Sequence, residues 1–283
     1  MNERTKGSRP SRGYSGGLSL ELVTRVVMAT LAMTMFLWTD LTPSGAGTRG
    51  PTAYLYGDSL ARQSVDYWTT LTGDLGYDAK ASTYGGTAPC DFLEKFRTNT
   101  RKRAPDYVVV AFTGNNITPC MADESGRPLT GDALYSAYRE DLTRFARIAT
   151  RAGSVIVLVG PPESRHGDAR PMNAVYKSVA DDFNGALYTY GGTNLTPHRR
   201  FRETAPCLSS ETTENGCRPD HRIKIRNPDG IHLCPQATDE YKPYADGCPS
   251  YAGGALRYAE TLTYKLPPAT CRLFCLADRD DRP

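Results

Sequence analysis

From residue 53 onward, short apolar runs alternate with amphipathic stretches. Residues 53–56 predict a strand that runs into Gly57-Asp58-Ser59-Leu60 and is followed by a helical stretch to about residue 75. Residues 77–83 predict a second strand, ending at Gly85-Gly86, and 91–103 a helix with Phe92, Leu93 and Phe96 on one side. The run 107–112 is almost wholly apolar and β-branched, as a strand covered on both faces should be, and leads into Gly114-Asn115-Asn116. Residues 132–152 carry the clearest helical stripe, Leu134, Tyr138, Leu142, Phe145 and Ile148, with Gly153 as its stop. A strand over 154–159 halts at Gly160-Pro161-Pro162, and a helix over 174–183 and a strand over 186–190 complete the rhythm. Such alternation predicts an α/β fold with a parallel sheet between two layers of helices. Sites in these sheets lie beyond the carboxyl ends of the strands. The loops after the first three strands should therefore open on one edge.

The rhythm stops between residues 196 and 228, a polar, arginine-rich insertion that holds Cys207 and Cys217. A structureless stretch of this length in a compact domain is normally functional or cross-linked, and the cysteines favour cross-linking. Residues 251–266 return to helix before a Pro267-Pro268 break and a short tail over 269–283. At the other end, basic residues through Arg12 and Arg25 precede an apolar run of thirteen residues, 26–38. At ~1.5 Å per residue that run spans ~20 Å, short of a ~30 Å hydrocarbon core. Small residues follow at Ser44-Gly45-Ala46. Residues 1–46 thus read as a cytoplasmic basic stretch plus a signal peptide or a membrane anchor, and the sequence leaves both open. In either case the basic end stays inside and the body, 47–268, lies outside.

A hydrophobic share of 39% and a charged share of 23% are those of a globular protein, which excludes a disordered chain and a polytopic membrane protein. The formal charge of +3 owes two units to residues 1–46, so the body carries +1 and lacks the basic excess of a nucleic-acid binder. All eight cysteines, Cys90, Cys120, Cys207, Cys217, Cys234, Cys248, Cys271 and Cys275, lie in the body or tail. None forms the closely spaced knuckle of a zinc site. In an exported chain they read as disulfides, with no metal implied.

Gly57-Asp58-Ser59-Leu60 puts a serine just past a strand end and before a helix, where its own N–H faces any negative charge that develops beside it. Three further motifs follow in order. Gly85-Gly86-Thr87 offers an unobstructed main-chain N–H. Gly114-Asn115-Asn116 offers an amide donor. Asp229-Gly230-Ile231-His232 puts a carboxylate and an imidazole three residues apart on a tight turn, so that the first can orient the second as a base. Each is common alone; their order and their placement at strand ends point together to nucleophilic catalysis.

This constellation resembles the SGNH (GDSL) hydrolase superfamily over residues 53–266. The nucleophile block is matched in full by Gly57-Asp58-Ser59-Leu60, the glycine block by Tyr84-Gly85-Gly86-Thr87, and the final block by Asp229 and His232. The Gly-x-Asn-Asp block is matched by Gly114-Asn115-Asn116-Ile117, with Ile117 in place of the acid. The resemblance implies a three-layer α/β/α sandwich on a five-stranded parallel sheet of the flavodoxin-like kind, with a disulfide-braced insertion and a shallow, exposed site. It implies a triad of Ser59, His232 and Asp229, with oxyanion donors at Ser59, Asn116 and Gly86, Gly85 being the alternative glycine. It implies no metal or organic cofactor. The expected activity is hydrolysis of acyl esters of a cell-envelope glycan or lipid. Acyl transfer with the same triad and a non-catalytic binding protein on the same fold are the alternatives. His166, after the fourth strand, falls on the site edge as a candidate substrate contact. In the family-like strand order 2-1-3, the loops bearing Cys90 and Cys120 flank the first strand, which implies a Cys90–Cys120 disulfide. Cys207–Cys217, Cys234–Cys248 and Cys271–Cys275 are then the local remainder.

Overall fold

The structure, a computed structural model, describes residues 50–213, 216–234, 248 and 253–271. The expected N-terminal export segment, the end of the tail and the Cys271–Cys275 pair lie outside the described residues. Five parallel strands form the central sheet: β1 (Thr52–Gly57), β2 (Asp78–Thr83), β3 (Tyr107–Ala111), β4 (Val155–Gly160) and β5 (Ala186–Tyr190), in the order β2-β1-β3-β4-β5. Around it lie α1 (Ser59–Gln63), α2 (Val65–Asp74), α3 (Leu93–Lys102), α4 (Gly131–Arg151), α5 (Arg170–Asp181) and α6 (Gly253–Thr263). The fold is the expected three-layer α/β/α sandwich.

The apolar runs sort by parity, because successive strand side chains point to opposite faces. Tyr54, Tyr56, Val108, Val110, Ile156 and Leu158 enter one core, together with Phe96 of α3, Phe145 of α4 and Tyr176 of α5. Leu55, Val109, Val157 and Val159 enter the other, with Trp68 of α2 and Tyr258 and Leu262 of α6. Both faces of β1, β3 and β4 are therefore dry, which is why their sequences show no alternation. β2 is an edge strand and half-exposed. The α4 stripe is buried from Leu134 to Phe145, but at its end Ala149 takes the core position and Ile148 is only partly covered. Gly153, at φ +78°, terminates that helix in the left-handed conformation. The helix expected over 174–183 starts earlier, at Arg170, because Pro171 fits the first turn, where no N–H is needed.

The polar insertion is more than a cross-linked loop. It contains a small antiparallel pair, β6 (Thr204–Pro206) and β7 (Arg222–Lys224), tied by a Cys207–Cys217 disulfide. Three-residue strands are too short to leave a period in the sequence. Ala205, Ile223 and Ile225 enter the second core, and beneath them Arg257 of α6 makes a buried ion pair with Glu211. Cys234 pairs with Cys248, and Cys90 with Cys120.

The Cys90–Cys120 bond joins the loops after β2 and β3, the neighbours of β1 on either side. It closes a loop of 30 residues, which on the chain-entropy account stabilises the fold by about 3–4 kcal/mol. Replacing both cysteines by serine should lower the unfolding free energy in urea by that order. An unchanged denaturation midpoint would mean that the bond constrains neither the unfolded chain nor the two loops.

Candidate active site

The chain leaves β1 at Gly57 and turns into α1 over Asp58, which caps the helix by accepting the Leu60 N–H on Oδ1 at 3.1 Å. Gly57 has no alternative: a Cβ there would lie 2.6 Å from the Ala111 carbonyl oxygen of β3. Asp58 is fully buried. Its second oxygen accepts the Thr113 N–H and Oγ1–H, both at 2.6 Å, and the Asn115 Nδ2–H at 2.9 Å. Burial pushes its carboxyl up to about 6, against the Thr113 and Leu60 donors and the nearby His232. One carboxylate thus fastens the β1 turn to the loop after β3. That loop is held from below as well. The buried Tyr176 hydroxyl bonds both the N–H and the carbonyl of Phe112, and Tyr138 donates to the Asn115 carbonyl at 3.0 Å.

Ser59 stands half-buried at the start of α1, and His232 reaches it from a turn 173 residues away in sequence, Nε2 to Oγ 3.1 Å. On the other side of the ring, Nδ1 lies 2.6 Å from Asp229 Oδ2, while Asp229 Oδ1 accepts the main-chain N–H groups of Ile231 and His232 at 2.9 Å. Burial alone would raise the Asp229 carboxyl, but the bonds from His232 and from these N–H groups hold it below the ordinary value. An ionised carboxylate can only accept, so the imidazole proton sits on Nδ1. Nε2 is left with a lone pair facing the serine.

The turn bearing Asp229 and His232 has several anchors that its sequence does not announce. Arg226, wholly buried, donates from Nη1 to the Ile231 carbonyl at 2.6 Å and from Nη2 to the Glu163 carbonyl at 2.9 Å. Burial lowers its guanidinium to about 10. Gln63, one turn past Ser59 on α1, accepts the Leu233 N–H at 3.0 Å. Arg165 donates to the Pro228 carbonyl and pairs with Glu203. His166, expected as a substrate contact, sits exposed with Nε2 2.7 Å from the Asp229 carbonyl oxygen, outside the residues that line the cleft. Helical spacing from Ser59 could have pointed to Gln63; nothing in the sequence points to Arg226.

On the opposite side of Ser59 lie Gly85 and Gly86, Gly86 at φ +75°. Among the described residues, the main-chain N–H groups of Ser59, Gly85 and Gly86 donate to no protein acceptor. The two asparagines of the loop after β3 point different ways. Asn116 spends its amide on the Leu129 carbonyl, at 2.8 Å, and does not line the cleft. Asn115 does, with one contact on Asp58 and another on the Thr87 carbonyl at 3.1 Å. Gly114, just before the two asparagines, takes φ +101°. The cleft has a volume of about 510 Å³. Of the four large hydrophobic side chains that stand exposed among the described residues, three (Tyr84, Ile117 and Ile231) ring it, a concentration that marks a binding surface.

A family described as "Protein of unknown function (DUF459)" matches residues 53–242. No curated protein matches the chain by sequence. Solved structures similar to it include that of TesA, at 15% identity over 75% of this chain and 97% of that one, with a TM-score of 0.45. The lipase/acylhydrolase from Enterococcus faecalis is similar at 16% identity over 76% and 96%, TM-score 0.43. The psychrotrophic esterase EstA from Pseudoalteromonas sp. is similar at 14% over 50% and 78%, TM-score 0.38.

Asp58→Asn tests the fastening. The amide oxygen can still cap Leu60, but the new NH₂ would face the Thr113 and Asn115 N–H donors. Leaving these unpaired should cost about 2–3 kcal/mol in urea unfolding. A loss under about 0.5 kcal/mol would show that the carboxylate is not what joins the two loops.

Proposed function

The chain belongs to the DUF459 family, and for it we propose serine-dependent hydrolysis of carboxylic esters, with Ser59 as the nucleophile. The observation that carries this reading is the continuous hydrogen-bonded line from Asp229 through His232 to Ser59 Oγ, facing a set of unused N–H donors. His232 Nε2 takes the Ser59 proton as Oγ attacks the ester carbonyl, and Asp229 stabilises the imidazolium. The carbonyl oxygen, now an anion, is held by the Ser59 N–H, by the N–H groups of the Gly85–Gly86 turn and by Asn115 Nδ2. Asn115 keeps one N–H on Asp58 and turns the other from the Thr87 carbonyl to the oxyanion. Collapse of the intermediate expels the alcohol, which takes the proton from His232. A water activated by the same imidazole then releases the acid from Ser59. No step needs a metal or an organic cofactor. With an alcohol in place of water the same residues would transfer the acyl group.

The apolar rim suits the carbon skeleton of an ester, and an open cleft suits a bulky alcohol, such as an acylated glycan or lipid of the cell envelope. Three disulfides fit an oxidising compartment. Together with the export signal read in residues 1–46, they support a catalytic domain outside the cytoplasmic membrane, secreted or anchored.

Ser59→Ala should abolish hydrolysis of p-nitrophenyl acetate while leaving the circular dichroism spectrum unchanged. Activity within tenfold of wild type would exclude Ser59 as the nucleophile. Asn115→Ala should lower kcat by roughly 10²–10³, as for loss of one oxyanion donor, and Asn116→Ala by far less. The reverse ranking would return the donor role to Asn116.

A further inference from the structure

Arg97 and Arg101 of α3 and Arg144, Arg147 and Arg151 of α4 line two adjoining hollows of about 210 and 370 Å³. All five are exposed. Phe96 stacks on Phe145, ring centroids 4.8 Å apart, and so holds the two helices with their rows of guanidinium groups side by side. Arg97, Arg151 and Ile148 are common to both hollows, and no carboxylate among the described residues lines either. Arg97 pairs with Glu94, and Arg144 with Glu140 and Asp141, all outside the hollows. The arrangement works against the helices: Arg97 and Arg101, Arg144 and Arg147, and Arg147 and Arg151 are like charges at spacings of three or four residues, which destabilise a helix. Compensation of the helix dipole accounts for a cation in the last turn, as at Arg101 and Arg151, but not for Arg147. Both helices run antiparallel to the strands, so their C-terminal ends lie at the sheet edge opposite the cleft. The chain enters the body at that same edge, where the Gly50 carbonyl accepts from Arg103 at 3.4 Å, two residues before β1.

We infer that this arginine face docks on the anionic phospholipid of a membrane surface. Guanidinium forks match phosphate oxygens through paired N–H···O bonds, and arginine stands at all five positions. Ile148, only partly covered between them, adds an apolar contact at headgroup depth. The hollows spread across two helices and all their cations are exposed, which suits an extended charged surface and not the enclosure of one small anion. The chain reaches this edge directly after the segment read as a signal or anchor, which favours a membrane over a soluble polyanion. A body held by this face keeps its cleft, at the other end of the strands, open to substrate. Each arginine near an anionic surface should strengthen partitioning by about fivefold, and salt should screen the effect. The inference does not depend on Ser59 being a nucleophile.

The test measures partitioning of the full-length protein onto phosphatidylcholine vesicles with and without a one-third share of phosphatidylglycerol. Residues 1–46 are common to every variant, so differences between variants read the arginine face. The wild type should prefer the anionic vesicles. A triple variant, Arg101→Gln, Arg147→Gln and Arg151→Gln, should bind them at least about tenfold more weakly, with no change on neutral vesicles or in the circular dichroism spectrum. The same three positions changed to lysine keep the charge and should stay within about threefold of the wild type. So should a control that removes three exposed cations elsewhere, Lys80→Gln, Lys177→Gln and Arg218→Gln. A wild type without anionic preference overturns the inference, as does a glutamine variant that binds like the wild type. An equal loss in the control would trace the binding to net charge, and a glutamine variant that unfolds would give the arginines a structural role; either result overturns it. Release from the vesicles by inorganic phosphate at constant ionic strength would make the hollows a small-anion site and overturn it too.

Discussion

The arrangement at the sheet edge depends on a single buried carboxylate. Asp58 gives up its hydration entirely and is compensated by four donors, one from its own helix and three from the loop after β3. A buried charge without such partners would cost several kcal/mol, so the loop cannot leave Asp58 without exposing that penalty. The coupling is mutual. The turn that presents Ser59 and the loop that presents Asn115 are fixed relative to each other by the same atom set. Tyr176, Tyr138 and the Cys90–Cys120 bond then restrict the second loop further.

The histidine side of the site is built by a different strategy. Its turn belongs to no central strand and follows the polar insertion, so it must be positioned by side chains that reach it. Arg226 from beneath, Gln63 from the nucleophile helix and Arg165 from the loop after β4 all bind its main chain. Main-chain anchoring leaves the Asp229 and His232 side chains free to bond each other and Ser59. Preorganised groups of this kind need no rearrangement as charge develops, which is the condition under which hydrogen bonds contribute most to catalysis.

Much of this was legible in the chain, for physical reasons that also mark where legibility ends. Strands covered on both faces must be apolar throughout, so β1, β3 and β4 stand out, and helices beside them must be striped. Gly57-Asp58-Ser59-Leu60 was legible because a serine after a strand and before a helix has few other ways to lie. The two asparagines were not separable, since which of them lines the cleft is seen only in the fold, where Asn116 donates to the Leu129 carbonyl and Asn115 faces the cleft, and neither contact leaves a pattern. Arg226 was invisible for a related reason: a buried arginine is defined by the carbonyls around it, from Glu163 and Ile231, and these come together only in the fold. The short strands β6 and β7 lay below the length at which a period of two can be recognised.

The central claim, that the Asp229–His232 pair turns Ser59 into a nucleophile, is tested most directly by covalent labelling. A fluorophosphonate reacts with an activated serine and spares an ordinary one. Peptide mass spectrometry of the labelled protein should find one adduct, on Ser59, formed at a rate that collapses in His232→Ala. No adduct, an adduct on another residue, or labelling of Ser59 that is indifferent to His232 would contradict the account.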